Sequence, residues 1–125
     1  MLLDGVLTQN RVLETAMQGN MVRKDVIINN VANVDTPGYK RKVVEFEESL
    51  KDSLRRTRPG EKTDLSGVKT TVRNISKDLK YRLDANNVDM EVEMLELYET
   101  SVRYDVIAGS VMNNYKRINS VFSLR

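Results

Sequence analysis

Ile27-Ile28-Asn29-Asn30-Val31-Ala32-Asn33-Val34-Asp35-Thr36-Pro37-Gly38-Tyr39-Lys40-Arg41 is the stretch that decides how this 125-residue chain is built. It opens with helical spacing and runs into a breaker. Pro37 lacks an amide hydrogen and disfavours helix at the residue before it. Thr36 to Tyr39 fit a type II turn, with Pro at the second position and Gly38 supplying positive φ at the third. A helix must therefore stop near Asn33, and the chain must turn.

Upstream of that stop, Val6, Asn10, Leu13, Met17, Asn20, Lys24, Ile27, Val31 and Val34 alternate in steps of four and three. Six of the nine are apolar, so the stripe predicts a helix that starts between Val6 and Asn10. Gly19 lowers its intrinsic propensity by roughly 1 kcal/mol relative to Ala.

The other end of the chain carries a stronger pattern. Met94, Leu97, Ser101, Tyr104, Ala108, Val111, Tyr115, Ile118 and Phe122 keep strict three-four alternation over four heptads, and eight of the nine are apolar or aromatic. This is the spacing of a coiled-coil seam. Asp89 is a good N-cap, and Glu91, Glu93 and Glu96 place negative charge on the first turns. From Asp89 to about Leu124 only Gly109 interrupts, which predicts a rod on the order of 54 Å long. Such a rod needs another long helix, from the same chain or from a neighbour.

Between the two lies a polar excursion. Lys42 to Phe46 predict a short strand and Glu47 to Arg56 a short polar helix. Arg58-Pro59-Gly60-Glu61 predict a second turn, with mobility expected from Pro59 to Gly67. Thr70 to Val72 and Lys80 to Leu83 are weak strand candidates. Residues 1–39 and 84–125 thus form a discontinuous helical unit, and 40–83 a polar, basic, partly flexible insertion. The expected fold class is mainly α: two long terminal helices pairing as an antiparallel coiled coil, with an irregular, weakly β middle segment.

Composition removes several classes of function. The chain has no Cys and no His, so neither disulfides nor the common zinc and nucleophile sets can form. Apolar residues make up 40% and aromatics 6%, which leaves a thin core and an ordered state that depends partly on neighbours. The net charge of +2 is unevenly spread. Residues 1–39 carry −1, residues 40–82 carry +6 and residues 83–125 carry −3. In the basic zone the signs are interleaved and Phe46 and Tyr81 are the only aromatics, unlike a nucleic-acid groove with clustered Arg and stacking rings. Acidic pairs such as Glu45/Glu47 and Glu91/Glu93 have no nucleophile, ligand set or phosphate loop around them, so no enzyme is expected. The start, Met1-Leu2-Leu3-Asp4, has no basic n-region or long apolar run, so no cleavable signal peptide is expected. No apolar run is long enough for a membrane span.

The stretch Ile27 to Arg41 resembles the N-terminal signature of the flagellar rod and hook axial proteins of bacteria. A second segment, Tyr81-Arg82-Leu83-Asp84-Ala85-Asn86-Asn87-Val88-Asp89-Met90, is similar to the Asp-Gly-Asn-Asn-Val-Asp stretch that precedes the C-terminal helix in one proximal-rod branch of that family. Glu93-Met94 and Arg103-Tyr104 also look like family positions. The likeness covers about residues 27–41 and 81–122. Ala85 departs from it, standing where the family commonly has Gly, and the backbone there is expected to accept a side chain.

The resemblance implies a structural subunit of the flagellar basal body. Such a proximal rod component leaves the cytoplasm unfolded through the flagellar type III export apparatus and polymerises as the periplasmic rod. Its terminal helices pair and self-associate in a helical tube with other rod and basal-body proteins. It implies no cofactor, no metal, no small-molecule substrate and no nucleic acid. The residues it marks as motif or subunit interface are Ile27, Asn29, Asn30, Val31, Ala32, Asn33, Thr36, Pro37, Gly38 and Tyr39 in the first segment. They continue as Asn86, Asn87, Val88 and Asp89 in the second, and Met94, Leu97, Tyr104, Ala108, Val111, Tyr115, Ile118 and Phe122 along the helix. Some of Asn29, Asn30 and Asn33 are expected to bond neighbouring subunits and fix register. The alternatives are a sibling proximal rod protein, or a soluble coiled-coil adaptor or basic nucleic-acid-binding protein.

Overall fold

In the computed structural model, which describes residues 2–58, 61–75 and 83–123, five elements follow one another. They are α1 (Leu2–Ala32), β1 (Lys42–Glu45), α2 (Glu47–Arg56), β2 (Thr71–Asn74) and α3 (Met90–Phe122). Helix α1 begins earlier than its stripe predicts. Asp4 in the first turn complements the helix dipole, and Gly5 is tolerated there. The helix stops at Ala32, and Thr36 to Tyr39 close the expected turn, with Gly38 at φ 71° and Tyr39 N donating to Thr36 O at 3.2 Å. Helix α3 starts on Asp89, whose carboxylate accepts from Glu91 N at 2.9 Å. The strand at Lys42 and the helix at Glu47–Arg56 stand where expected. Arg58 O accepts from Glu61 N at 3.0 Å, the bond a turn there requires, although Pro59 and Gly60 lie outside the described residues. Of the strand expected at Lys80 to Leu83, all but Leu83 lies outside them too.

The terminal helices pair along their length and run antiparallel. Asn30 meets Glu93 near one end, and Asn10 meets Asn114 near the other. Strands β1 and β2 pair antiparallel, with Val44 opposite Val72. The excursion then lies back along one flank of α1. Phe46 packs on Gly19, and the segment Glu61 to Thr63 lies beside Gly5, Thr8 and Val12.

The core is small and polar. Among the described residues the buried apolar ones are Ile27, Val44, Phe46 and Val88, outnumbered by Asn10, Asn20, Asn30, Thr63, Asn86, Glu93, Thr100 and Asn114. Helix α3 meets α1 through the shared row Leu97, Tyr104, Val111 and Ile118, all half-buried, together with the mostly polar row Glu93, Thr100, Ile107 and Asn114. The seam is thus turned toward the polar row, and the other half of the expected stripe lies on its flank. Met94, Tyr115 and Phe122 are 50%, 47% and 65% exposed.

Candidate functional site: a buried polar joint

Among the described residues the three largest fully buried side chains are Glu93, Asn30 and Asn86, all polar and all at one place. There the end of α1, the Thr36–Tyr39 turn, β1 and the start of α3 converge. Asn30 acts as a surrogate strand. Its Nδ2 donates to Lys42 O at 2.8 Å, and its Oδ1 accepts from Lys42 N at 3.0 Å. Nδ2 also donates to Glu93 Oε2 at 2.9 Å. A buried carboxylate needs a cation, and Arg41 supplies it, with Nε on Glu93 and NH2 on Glu96 at 2.7 Å. Burial pulls the Arg41 pKa down, but hydrogen bonds to Glu93 and Glu96 outweigh it, and the net shift is upward. The single hydroxyl proton of Tyr39 is shared between Asn29 Oδ1 at 2.9 Å and Asn30 Oδ1 at 3.1 Å. Burial, then the charge of Glu93, raises its pKa.

Asn86 closes the joint from the other strand of the chain. Its Nδ2 lies 2.9 Å from Asn33 O, 2.9 Å from Val34 O and 2.8 Å from Thr36 O. Carbonyls where a helix ends attract donors, and the two N–H groups of one amide far along the sequence are shared among these three. Asn86 Oδ1 in turn accepts from Val88 N at 2.8 Å. Asn87 bridges the sheet, accepting from Arg41 N at 2.6 Å and donating to Ile75 O at 2.9 Å. Gly38 N donates to Asp84 O at 2.8 Å, and Lys40 Nζ to Ala85 O at 2.8 Å. Between these bonds Ala85 is held at φ 61°, so the expectation of a backbone indifferent to its side chain is overturned. The position demands the left-handed region, which favours glycine.

The two motifs are therefore halves of one joint. Asn30 has no exposed surface and is committed inside the chain, while Asn29, Ala32, Thr36, Pro37 and Gly38 stay exposed on its rim. Ile27 and Val88 are buried beneath it; Val31 and Asn33 are half-buried, and Asn33 Nδ2 donates back to Asn29 O at 2.7 Å. Residue patterns alone did not single out Arg41 or Glu93 as partners. Their signal was the position of each within a quoted family segment. Also missed were Thr100 and Asn114, because a count of apolar residues cannot find a polar half-seam.

Among the described residues no group of Asp and Glu is placed to hold a metal ion, and no helix is long and apolar enough to cross a membrane.

Residues 11–40 match the family model described as flagella basal body rod protein. The chain is 29% identical to the flagellar basal body rod protein FlgB of Bacillus subtilis, over 89% of this chain and 90% of that one. It is 31% identical to FlgB of Borreliella burgdorferi, covering 80% and 84%, and 30% identical to FlgB of Salmonella typhimurium, covering 84% and 86%.

Proposed function

The chain belongs to the FlgB family of flagellar basal body rod proteins, and from that premise we propose that it is a structural subunit of the proximal rod. Its task is to hold two long helices at a set angle and alignment so that copies and other rod proteins can pack on them. The observation that supports this reading best is the joint, where the two family motifs meet as Asn30, Asn86 and Glu93. The apolar surface left open along both helices supports it as well, because an isolated chain has nothing to cover it. The sibling rod protein and the soluble adaptor are not favoured.

Export proceeds through the flagellar type III apparatus, and the protein works in the periplasmic part of the basal body. It carries no reaction, no cofactor and no nucleic acid. The test is complementation. In a flagellated host lacking its own FlgB, this chain is expected to restore motility and to co-purify with intact basal bodies. Full secretion with no copy in purified basal bodies would refute the reading.

A further inference from the structure

The excursion grips α1 but stands off from α3. A cleft separates the two, in two parts that adjoin at Glu47 and Arg103, which line both. The part nearer the joint has a volume of about 330 Å³, with Lys42 and Val44 on the excursion side and Glu96, Glu99 and Thr100 on the α3 side. The other, about 380 Å³, has Phe46 and Leu50 on one side and Val102, Val106 and Ile107 on the other. From the joint outward the two walls match. Arg41 already ties the start of the excursion to Glu93 and Glu96. Beyond it the excursion offers Lys42, Glu47 and Leu50, and α3 offers Glu99, Arg103 and Val106: cation to anion, anion to cation, apolar to apolar, in the same order. On α3, Glu96, Glu99, Arg103 and Val106 are spaced by three, four and three residues, which places them on one line of the helix. Among the described residues neither ion pair across the cleft is made. Glu47 is held by Arg23, Arg103 reaches Glu99 of its own helix at 3.7 Å, and Val106 is 64% exposed. Helix α2, which carries Leu50, has no buried residue.

We propose that the excursion is a strap that closes onto α3, bringing Glu47 to Arg103 and Leu50 onto Val102 and Val106. Phe46, buried against Gly19, is the pivot, and Arg41 on Glu96 fixes the end from which the strap zips. Closing breaks no bond at the pivot. Glu47 keeps Arg23 and adds Arg103, because a carboxylate has acceptor sites for both. What the closed strap gains is one surface ion pair and the cover of two part-exposed valines, each a small term. The open and closed arrangements therefore lie close in free energy and exchange. Closure shields Val102 and Val106 alone. Met94, Tyr98 and Phe122 line neither part of the cleft and stay bare.

The chain has no native Cys, which permits a direct test on the isolated, dilute protein. In L50C/V106C, oxidation is expected to form an intramolecular disulfide about tenfold faster than in L50C/A108C. Residue 108 is only two positions on but turned about 200° around the helix, away from the cleft. R103E sets two carboxylates face to face across the cleft. It is expected to slow the first disulfide about fivefold, the size of one surface ion pair. In a chain with V106C alone, R103E is expected to speed maleimide labelling by about the same factor, because the strap no longer covers the site. Circular dichroism confirms that the helices persist, and R103Q replaces R103E if they do not. Equal disulfide rates in the two pairs overturn the proposal. So does a fully helical charge variant in which V106C links and labels at unchanged rates.

Discussion

Replacing Ala85 with Gly should stabilise this protein, although Gly usually weakens ordered structure. Ala85 sits at φ 61°, held there by the bond from Gly38 N to Asp84 O, by Lys40 on its own carbonyl and by the Asn86 amide on the end of α1. An L-residue with a Cβ in the left-handed region costs about 1–2 kcal/mol. Gly removes that cost but adds about 0.4–1 kcal/mol of freedom to the unfolded chain. Taking the middle of both ranges, the net gain is about 0.8 kcal/mol. With an m-value of about 2 kcal/mol/M, the urea midpoint should rise by about 0.4 M. The assay is urea unfolding followed by circular dichroism at the helix band, with A16G as a control. In the middle of α1 the same change should lower stability by about 1 kcal/mol or more. If A85G lowers the midpoint as A16G does, the joint does not hold residue 85 in the left-handed region and the reasoning fails.

Asn86→Ala should cost about 1–3 kcal/mol by removing the amide that packs against the carbonyls of Asn33, Val34 and Thr36, and amide exchange should quicken first in the last turn of α1. Asn10→Leu alone should destabilise by about 1–3 kcal/mol, because it leaves Asn114 buried and unmatched. The double variant with Asn114→Leu should recover most of that in thermal melts, since Asn10 Nδ2 already lacks a partner. Acid should loosen the grip of the excursion on α1 through Glu47. Burial raises its pKa, but hydrogen bonds from Arg23 and the backbone outweigh this and set it below its ordinary 4.5. A folded pKa below the unfolded one means the stabilisation is full above about pH 4.5 and fades as pH falls through the lower value. A pH titration of the urea midpoint should lose that increment in R23Q, whose midpoint should fall less over this range.

The elements were legible because each rests on local chemistry. Pro37 and Gly38 ended α1, Asp89 began α3, and the charge order of Glu47 to Arg56 marked a short helix with acid first and base last. What stayed hidden was the rotation of α3. By apolar count its best face includes Met94, Tyr115 and Phe122, yet the joint fixes Glu93 inward to meet Asn30 and Arg41. Once Glu93 faces inward, helical geometry carries Thr100 and Asn114 with it. A bond made 63 residues away in sequence thus overrules a pattern spread over four heptads. Arg41 was hidden for the same reason: a cation in a basic zone gives no sign of which carboxylate it will meet.

The fit between Phe46 and Gly19 ties two parts of the molecule into one cooperative unit. A Cβ at residue 19 would lie 2.6 Å from the Phe46 ring, so only glycine admits the ring to the surface of α1. The guanidinium of Arg23 covers the same ring, 5.1 Å from its centre, while also holding Glu47 and the carbonyl of Val44. Glycine makes α1 intrinsically weakest where the excursion docks, and docking restores the order that glycine removes. Neither the helix nor the excursion should then melt on its own. A calorimetric scan should show one transition whose measured enthalpy equals its van't Hoff value, and F46A should split it or shift α1 into early fraying around Gly19.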